Sequence, residues 1–428
     1  MDTIFALAST PGKAGISVIR ISGKGAFDAI AKITSSLPDF RYSALRQIND
    51  QFGCAIDRGI IVCFKGPESF TGEDVVELHL HGSPAVVASV LRVLSNFEAL
   101  RSAEPGEFTR RALENNKLDL AQVEGLADLI DAETEGQRLQ ALRVLSGDIG
   151  KKAGVWRTDL IRASALLEAT IDFADEDVPE DVMPEAIDLI DKTMKSLIAE
   201  ASGVKIAERV RSGFEVAIVG APNVGKSSLL NRLAGREAAI TSEIAGTTRD
   251  VIEVKMDLAG LPVTFLDTAG LRSTDDAIEN IGVNRGLERA ALADLTLLLS
   301  EDGRVPGLAS LRKDDLLVLS KGDLTKRDHA ISAVTGQGID QLISDVTRIL
   351  CSRSATIGVA TRERHRVALL KSIQNLEDAQ EKIQKCSKNS ELIAEDIRSS
   401  VMSLDALIGR VDVENVLDEI FSSFCLGK

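Results

Sequence analysis

Hydrophobic positions change their period along the chain, and each change marks a different kind of structure. From Met1 to about Leu118 the runs are short and β-prone. Thr3 to Leu7, Ile16 to Ile21, Ile60 to Phe64 and Val75 to Leu80 predict strands, with Pro11-Gly12 between the first two. Ser83 to Leu94 predicts a helix with Ser83 as its cap and Pro84 at its first position. From about Asp119 to Arg211 the period becomes helical. Leu139, Leu142, Leu145, Ile149, Ala153, Trp156, Leu160, Ala163 and Leu167 recur at helical spacing, predicting one long amphipathic helix in the core of a bundle. Residues from Gly213 to about Cys351 alternate strand-like runs, glycine-rich loops and helical stretches, as a doubly wound α/β domain does. Beyond Arg362 the helical period returns, with Ile397, Val401, Leu404, Ile408 and Val411 on one stripe. The economical arrangement is a nucleotide domain inserted into a helical domain whose halves flank it. Its segments are 1–118, 119–211, 212–355 and 356–428.

Composition narrows the class of protein. No run of eighteen apolar residues occurs, and the N-terminus has no basic stretch followed by an apolar one. Neither a membrane span nor a secretory signal is expected. A formal charge of −15 argues against a broad nonspecific nucleic-acid surface. It leaves room for a local RNA contact, or for RNA held mainly by a partner. Cys54, Cys63, Cys351, Cys386 and Cys425 are scattered and odd in number, the pattern of reduced thiols in a cytoplasmic protein. His79 and His81 share one side of a predicted strand but lack further ligands nearby, and read as structural or solvent-facing.

The chemistry concentrates between residues 220 and 333. A buried-strand run, Phe214 to Val219, leads into Gly220-Ala221-Pro222-Asn223-Val224-Gly225-Lys226-Ser227-Ser228, a phosphate loop in its strand-to-helix context. Glycines there let backbone N–H groups converge on phosphate oxygens at a helix N-terminus. Lys226 is placed to pair the β- and γ-phosphates, and the Ser227 hydroxyl to ligate Mg²⁺. About twenty residues on, Gly246-Thr247-Thr248-Arg249-Asp250 suits a first switch, one of its threonines, with Thr248 preferred, completing the Mg²⁺ shell. Val263 to Asp267, followed by Thr268-Ala269-Gly270, reads as a strand ending in a second switch. Asp267 lies beyond the magnesium, and the Gly270 amide senses the γ-phosphate.

Base choice comes from Ser320-Lys321-Gly322-Asp323, after the strand-like Leu316 to Leu319. Asp323 accepts two hydrogen bonds from the N1–H and exocyclic amine of guanine, a pair that adenine lacks. The Lys321 stem covers one face of the base, and Ser332-Ala333 supplies an amide facing O6. Ser320 stands where asparagine is usual, so part of that residue's bonding is absent. Leu271 occupies the place where a Ras-like enzyme puts its water-orienting glutamine, so the catalytic group must come from elsewhere. No arginine of the first switch stands out as a finger, Arg249 being left open.

With these residues in place, the sequence resembles the MnmE-type tRNA-modification GTPases over essentially its whole length. The most specific pieces are Gly220 to Ser228, Ile244 to Asp250, Asp267 to Arg272 and the terminal Phe424-Cys425-Leu426-Gly427-Lys428. Thr10 to Gly15, Thr71 to Asp74, Pro105 to Phe108 and Asn116 to Gln122 also look like this family. The resemblance implies an N-terminal α+β domain that binds a one-carbon tetrahydrofolate (the 5-formyl or 5,10-methylene form) and dimerises. It also implies a helical bundle and an inserted Ras-like GTPase domain. The matching K⁺ ligands are Asn223, Ser242, Ile244 and Thr247, within a nucleotide-contacting stretch Ser242-Glu243-Ile244-Ala245-Gly246-Thr247-Thr248. The family's water-orienting carboxylate maps onto Glu279. Arg20, Glu77, Lys117 and Lys428 fall at folate positions, and Cys425 beside the folate or tRNA chemistry. Implied partners are a second copy of the chain, a flavin- and NADH-using MnmG-type protein, and tRNA. A ribosome-assembly switch shares the Pro-Asn phosphate loop, but the RNA-binding or second nucleotide domain that such proteins carry is not visible. A stand-alone folate-dependent transferase with a regulatory nucleotide domain is the third reading.

Overall fold

The computed structural model describes residues 2–172, 182–236, 238–240, 253–267, 291–304, 312–325, 327–354, 358–385, 390–410, 421, 424 and 427. They group into two compact units, Met1–Ala127 with Asp405–Lys428, and Asp128–Leu404.

The first unit is built on β1 (Thr3–Leu7), β2 (Ile16–Ser22), β3 (Ser43–Asn49), β4 (Ala55–Phe64), β5 (Val75–His81) and β6 (Leu100–Ser102). They lie in the order β3-β4-β5-β2-β1-β6, antiparallel except for β1 with β6. Alternation along each strand sorts side chains to the two faces. On one face Phe5, Ile19, Ile21, Ile61, Val76 and Leu78 pack with α1 (Ala26–Ile33) and α2 (Pro84–Ser95). On the other, Ile60 stands opposite both Leu45 and His79, and Val62 opposite Glu77. Ile60 and Leu45 remain 42% and 50% exposed, so this face is only partly covered. Ile4, Ala6, Ala103 and Phe108 bury its end beside α3 (Glu107–Glu114), which α4 (Leu120–Ile130) follows. Pro84 does open α2, but the Ser83 hydroxyl makes no capping bond.

A salt-bridge cluster locks α3 to the sheet. The Arg111 guanidinium, almost wholly buried, donates to Glu73, to Glu107 and to the Asp2 carbonyl. Arg101 grips the same Glu107 with two nitrogens at 2.6 and 2.8 Å. Burial pushes the Glu107 carboxyl up, but bonds from Arg101, the Glu104 amide and Arg111 outweigh it and hold the pKa at about 2.

In the second unit the predicted single helix is two. α5 (Glu135–Leu145) ends at Ser146-Gly147, and α6 (Asp148–Asp172) restarts after it. Gly147 takes φ 80°, and the Ser146 and Gly147 amides bond back to Leu142 and Val144, a left-handed helix stop. The break shifts the phase of the stripe: Leu139 and Leu142 are exposed, while Ala141 and Val144 are buried in their stead. From Ile149 to Leu167 the predicted stripe is buried. α7 (Met183–Ser212) packs along α6, and α11 (Glu363–Gln384) along α7. In α12 (Ser390–Leu407) Ile397 and Leu404 are buried as expected, as is Ile408 just past its end; Val411 lies outside the described residues.

Between these helices, β7 (Phe214–Gly220), β8 (Glu253–Leu258), β9 (Leu261–Asp267), β10 (Leu295–Ser300) and β11 (Leu316–Leu319) form a sheet ordered β11-β10-β7-β9-β8. All pairs but β8–β9 are parallel. Parallel strands are covered on both faces, which explains the nearly unbroken apolar runs of β7 and β10. α8 (Lys226–Ala234), the short α9 (Gly322–Thr325) and α10 (Ile339–Ser354) complete this part. Its first and last elements meet at Asp294. That carboxylate accepts from Arg209 of α7 at 2.9 Å and from the Glu215 amide of β7 at 2.9 Å. Its carbonyl accepts from Arg353, at the end of α10, at 2.7 Å.

Candidate functional site

The phosphate loop follows from how β7 ends. Gly220 lies so near β10 that a Cβ there would sit 2.6 Å from the Leu299 carbonyl. Val224, 2% exposed, anchors the loop in the core, while Asn223 and Gly225 take φ 61° and 108°. These left-handed residues turn the chain into the N-terminus of α8, where unpaired N–H groups and the helix dipole favour an anion. Lys226 is buried, and its amine donates to the Gly220 and Ala221 carbonyls at 2.8 and 2.9 Å. Burial pulls the Lys226 ammonium below its usual range, and the negative charge of Asp267 opposes that shift.

Next to it, the Ser227 hydroxyl donates to Asp267 Oδ2 at 2.6 Å, joining the start of α8 to the end of β9. A hydroxyl and a buried carboxylate this close form the hard-oxygen donor set that suits Mg²⁺. Ser228 follows on the first turn of α8. Ser242, Glu243, Ile244, Ala245, Gly246, Thr247, Thr248, Thr268, Ala269, Gly270 and Glu279 lie outside the described residues. Of the four K⁺ candidates, only Asn223 is described.

The base-reading segment is tied together by backbone bonds. The Ile331 amide donates to the Leu319 carbonyl at 2.7 Å, and the Gly322 amide to Ile331 at 2.9 Å. These bonds bring Ser332-Ala333 alongside Lys321 and the exposed Asp323. Ser332 is fully buried, and its hydroxyl accepts from the Thr335 amide. The Ser320 hydroxyl points to the Ser300 carbonyl at 3.4 Å, a long bond spent inside the loop.

In the first unit, strand register sets Arg20 opposite Glu77. Their side chains pair, with Arg20 Nε and Nη2 3.0 and 2.9 Å from Glu77 Oε1. The guanidinium lies over the rings of Phe70 and Phe108, 5.3 and 5.8 Å from their centroids. His79, which reads from the sequence as structural or solvent-facing, has Nε2 3.3 Å from Glu77 Oε2. The contact lies within β5, between residues two apart on one face of the strand. Lys117 is exposed, and its stem passes Gly72. Gly427 packs on β1 so closely that a Cβ would lie 2.1 Å from the Leu7 carbonyl, one residue from the partner of Arg20. Cys425 and Lys428, on either side, lie outside the described residues. His81 pairs with Asp57 at 2.8 Å, and no group of three or more metal-ligating side chains occurs among the described residues. Burial pushes the Cys63 thiol up to about 11, which makes it a poor nucleophile.

Two family models match the chain. Residues 3–117 match the N-terminus of the GTP-binding protein TrmE, and residues 120–425 the MnmE helical domain. The tRNA modification GTPase MnmE of Dinoroseobacter shibae is 58% identical over 430 residues, covering all of both chains. This chain belongs to the MnmE family of tRNA modification GTPases. The MnmE of Roseobacter denitrificans is 56% identical, again over the whole of both chains. A crystal structure of Aquifex aeolicus Era overlaps 38% of this chain and 66% of its own, at 23% identity and a TM-score of 0.25, too slight to bear on the assignment. As an MnmE-family member the chain is a GTPase with a P-loop for GTP and Mg²⁺.

Proposed function

We propose that this GTPase is K⁺-activated and, with a flavin-dependent MnmG-type partner, adds an aminomethyl or carboxymethylaminomethyl group to C5 of the wobble uridine of certain tRNAs. A one-carbon tetrahydrofolate supplies the carbon. The observation that carries the reading is the Ser227–Asp267 contact beside the buried Lys226, at the head of α8. In this reading Lys226 and the loop amides hold the phosphates, Ser227 and Thr248 hold Mg²⁺, and Asp323 selects guanine. Asn223, Ser242, Ile244 and Thr247 hold K⁺, whose charge replaces that of an arginine finger when bound. Glu279 orients the attacking water.

The folate half of the proposal places Arg20, Glu77, Lys117 and Lys428 around the pterin and glutamate tail, with Cys425 nearby. Supporting it is the approach of Gly427 to β1, next to the strand that carries Arg20. The pairing of Arg20 with Glu77 means that both side chains are already oriented, one presenting donors and the other acceptors. The partly covered sheet face around Leu45 and Ile60 supports a homodimer formed through this unit. The four-segment division and a cytoplasmic location complete the proposal. Among the described residues, no helix is long and apolar enough to cross a membrane.

The deciding experiment is nucleoside mass spectrometry of tRNA from cells with and without the gene. C5-aminomethyl-type uridines should vanish on deletion and return with the intact gene, but not with one lacking residues 425–428. Unchanged nucleosides would refute the modification chemistry while leaving the nucleotide site intact.

A further inference from the structure

Resting on the reading that Lys321 and Asp323 hold guanine, the geometry points to Glu301 as the positioning residue of the base site. Lys321 Nζ lies 2.5 Å from Glu301 Oε1, at the exit of the neighbouring strand. The register of β10 and β11 sets Ser300 opposite Leu319, so Glu301 and Ser320 leave the sheet side by side. Lys321 has φ 56°, a left-handed conformation that a lysine holds only where its surroundings impose it.

The loop that carries Glu301 is fastened on both sides. The Ser300 carbonyl accepts from the Ser320 amide at 2.9 Å and from the Ser320 hydroxyl. The Glu301 carbonyl accepts from Arg327 Nη1 at 3.1 Å, beyond Asp323 in the chain. Within the loop, the Ser300 hydroxyl accepts from the Gly303 amide at 3.0 Å. Glu301 is therefore presented by a built turn whose backbone touches the base-reading segment before and after Asp323.

Chemistry explains why such a brace is needed. A carboxamide at position 320 would offer two donors and an acceptor, whereas serine has a single proton, which it directs to Ser300. The first residue of the loop thus contributes a single, long side-chain bond. Glu301 makes up part of the loss by drawing the Lys321 ammonium aside, so that the alkyl stem lies along the base position. The two side chains are 34% and 50% exposed, and a pair so wet adds little to folding. Its effect belongs to nucleotide retention.

The test uses the full chain and a fluorescent GDP analogue, measuring dissociation rate and affinity, with KM and kcat for GTP and a thermal melt. Glu301→Ala should speed GDP release and raise KM by about fivefold, with kcat and melting temperature unchanged. Glu301→Gln keeps an oxygen acceptor and should recover most of the loss, as should Ser320→Asn added to Glu301→Ala. Release unchanged within about twofold, or weakening matched by a lower melting temperature, would overturn the role of Glu301. The parent protein is also titrated with ADP. Equal affinity for GDP and ADP would overturn the guanine reading itself, whereas guanine preference with an indifferent Glu301→Ala would remove only the brace.

Discussion

Lys226 and Ser227 are neighbours in sequence but reach different partners: the amine turns back on its own loop, and the hydroxyl reaches across to β9. If Ser227 holds Mg²⁺ as proposed, removing the hydroxyl should spare the loop and weaken metal-dependent binding. Ser227→Ala is expected to lower GDP affinity more than tenfold with Mg²⁺ present, and only slightly in EDTA, read by nucleotide titration in both buffers. Glu107 gives a second residue-scale test. Its pKa is about 2 in the fold against an ordinary 4.5, so its stabilisation is complete above pH 4.5 and fades as the pH drops toward 2. That shift corresponds to about 3 kcal/mol. Glu107→Gln should lose most of this at neutral pH, and its acid-unfolding curve should be flatter below pH 4.5, as followed by circular dichroism. Arg20 and Glu77 show what residue-level reading misses. They are 57 positions apart, and only the β2–β5 register makes them one unit.

At the scale of elements, the stop between α5 and α6 rests on the left-handed Gly147. An alanine there meets the Cβ–carbonyl conflict of that conformation, which costs about 1 to 2 kcal/mol. Gly147→Ala should lower the melting temperature by several degrees while leaving nucleotide affinity unaltered. The sequence does not betray this break, because Leu145 and Ile149 keep helical spacing across it and only the burial of Ala141 and Val144 exposes the change of phase. The polar edge strand β3, Ser43–Asn49, escaped notice for a related reason: it alternates too weakly to stand out. By contrast the phosphate loop and the base-reading strand were legible at once. Backbone amides that must converge on a phosphate demand fixed glycine spacing, and buried parallel strands demand apolar runs.

At the scale of the whole molecule, the partly covered sheet face bears on assembly. Ile60→Glu places a charge opposite Leu45 and His79. In the proposed homodimer it should shift the protein to monomer in light scattering, while a GTP titration remains normal. A variant that stays dimeric would place the interface elsewhere. Asp294 carries a wider consequence. Because this one residue ties Arg209 and Glu215 at the entrance of the nucleotide-binding part to Arg353 at its exit, the two ends of some 140 residues emerge together. A host helical bundle meets such an insert as it would meet a short loop, with little chain entropy lost in closing it. The same joint makes the nucleotide module portable: evolution, or a designer, can exchange it as a cassette without redrawing the bundle that receives it.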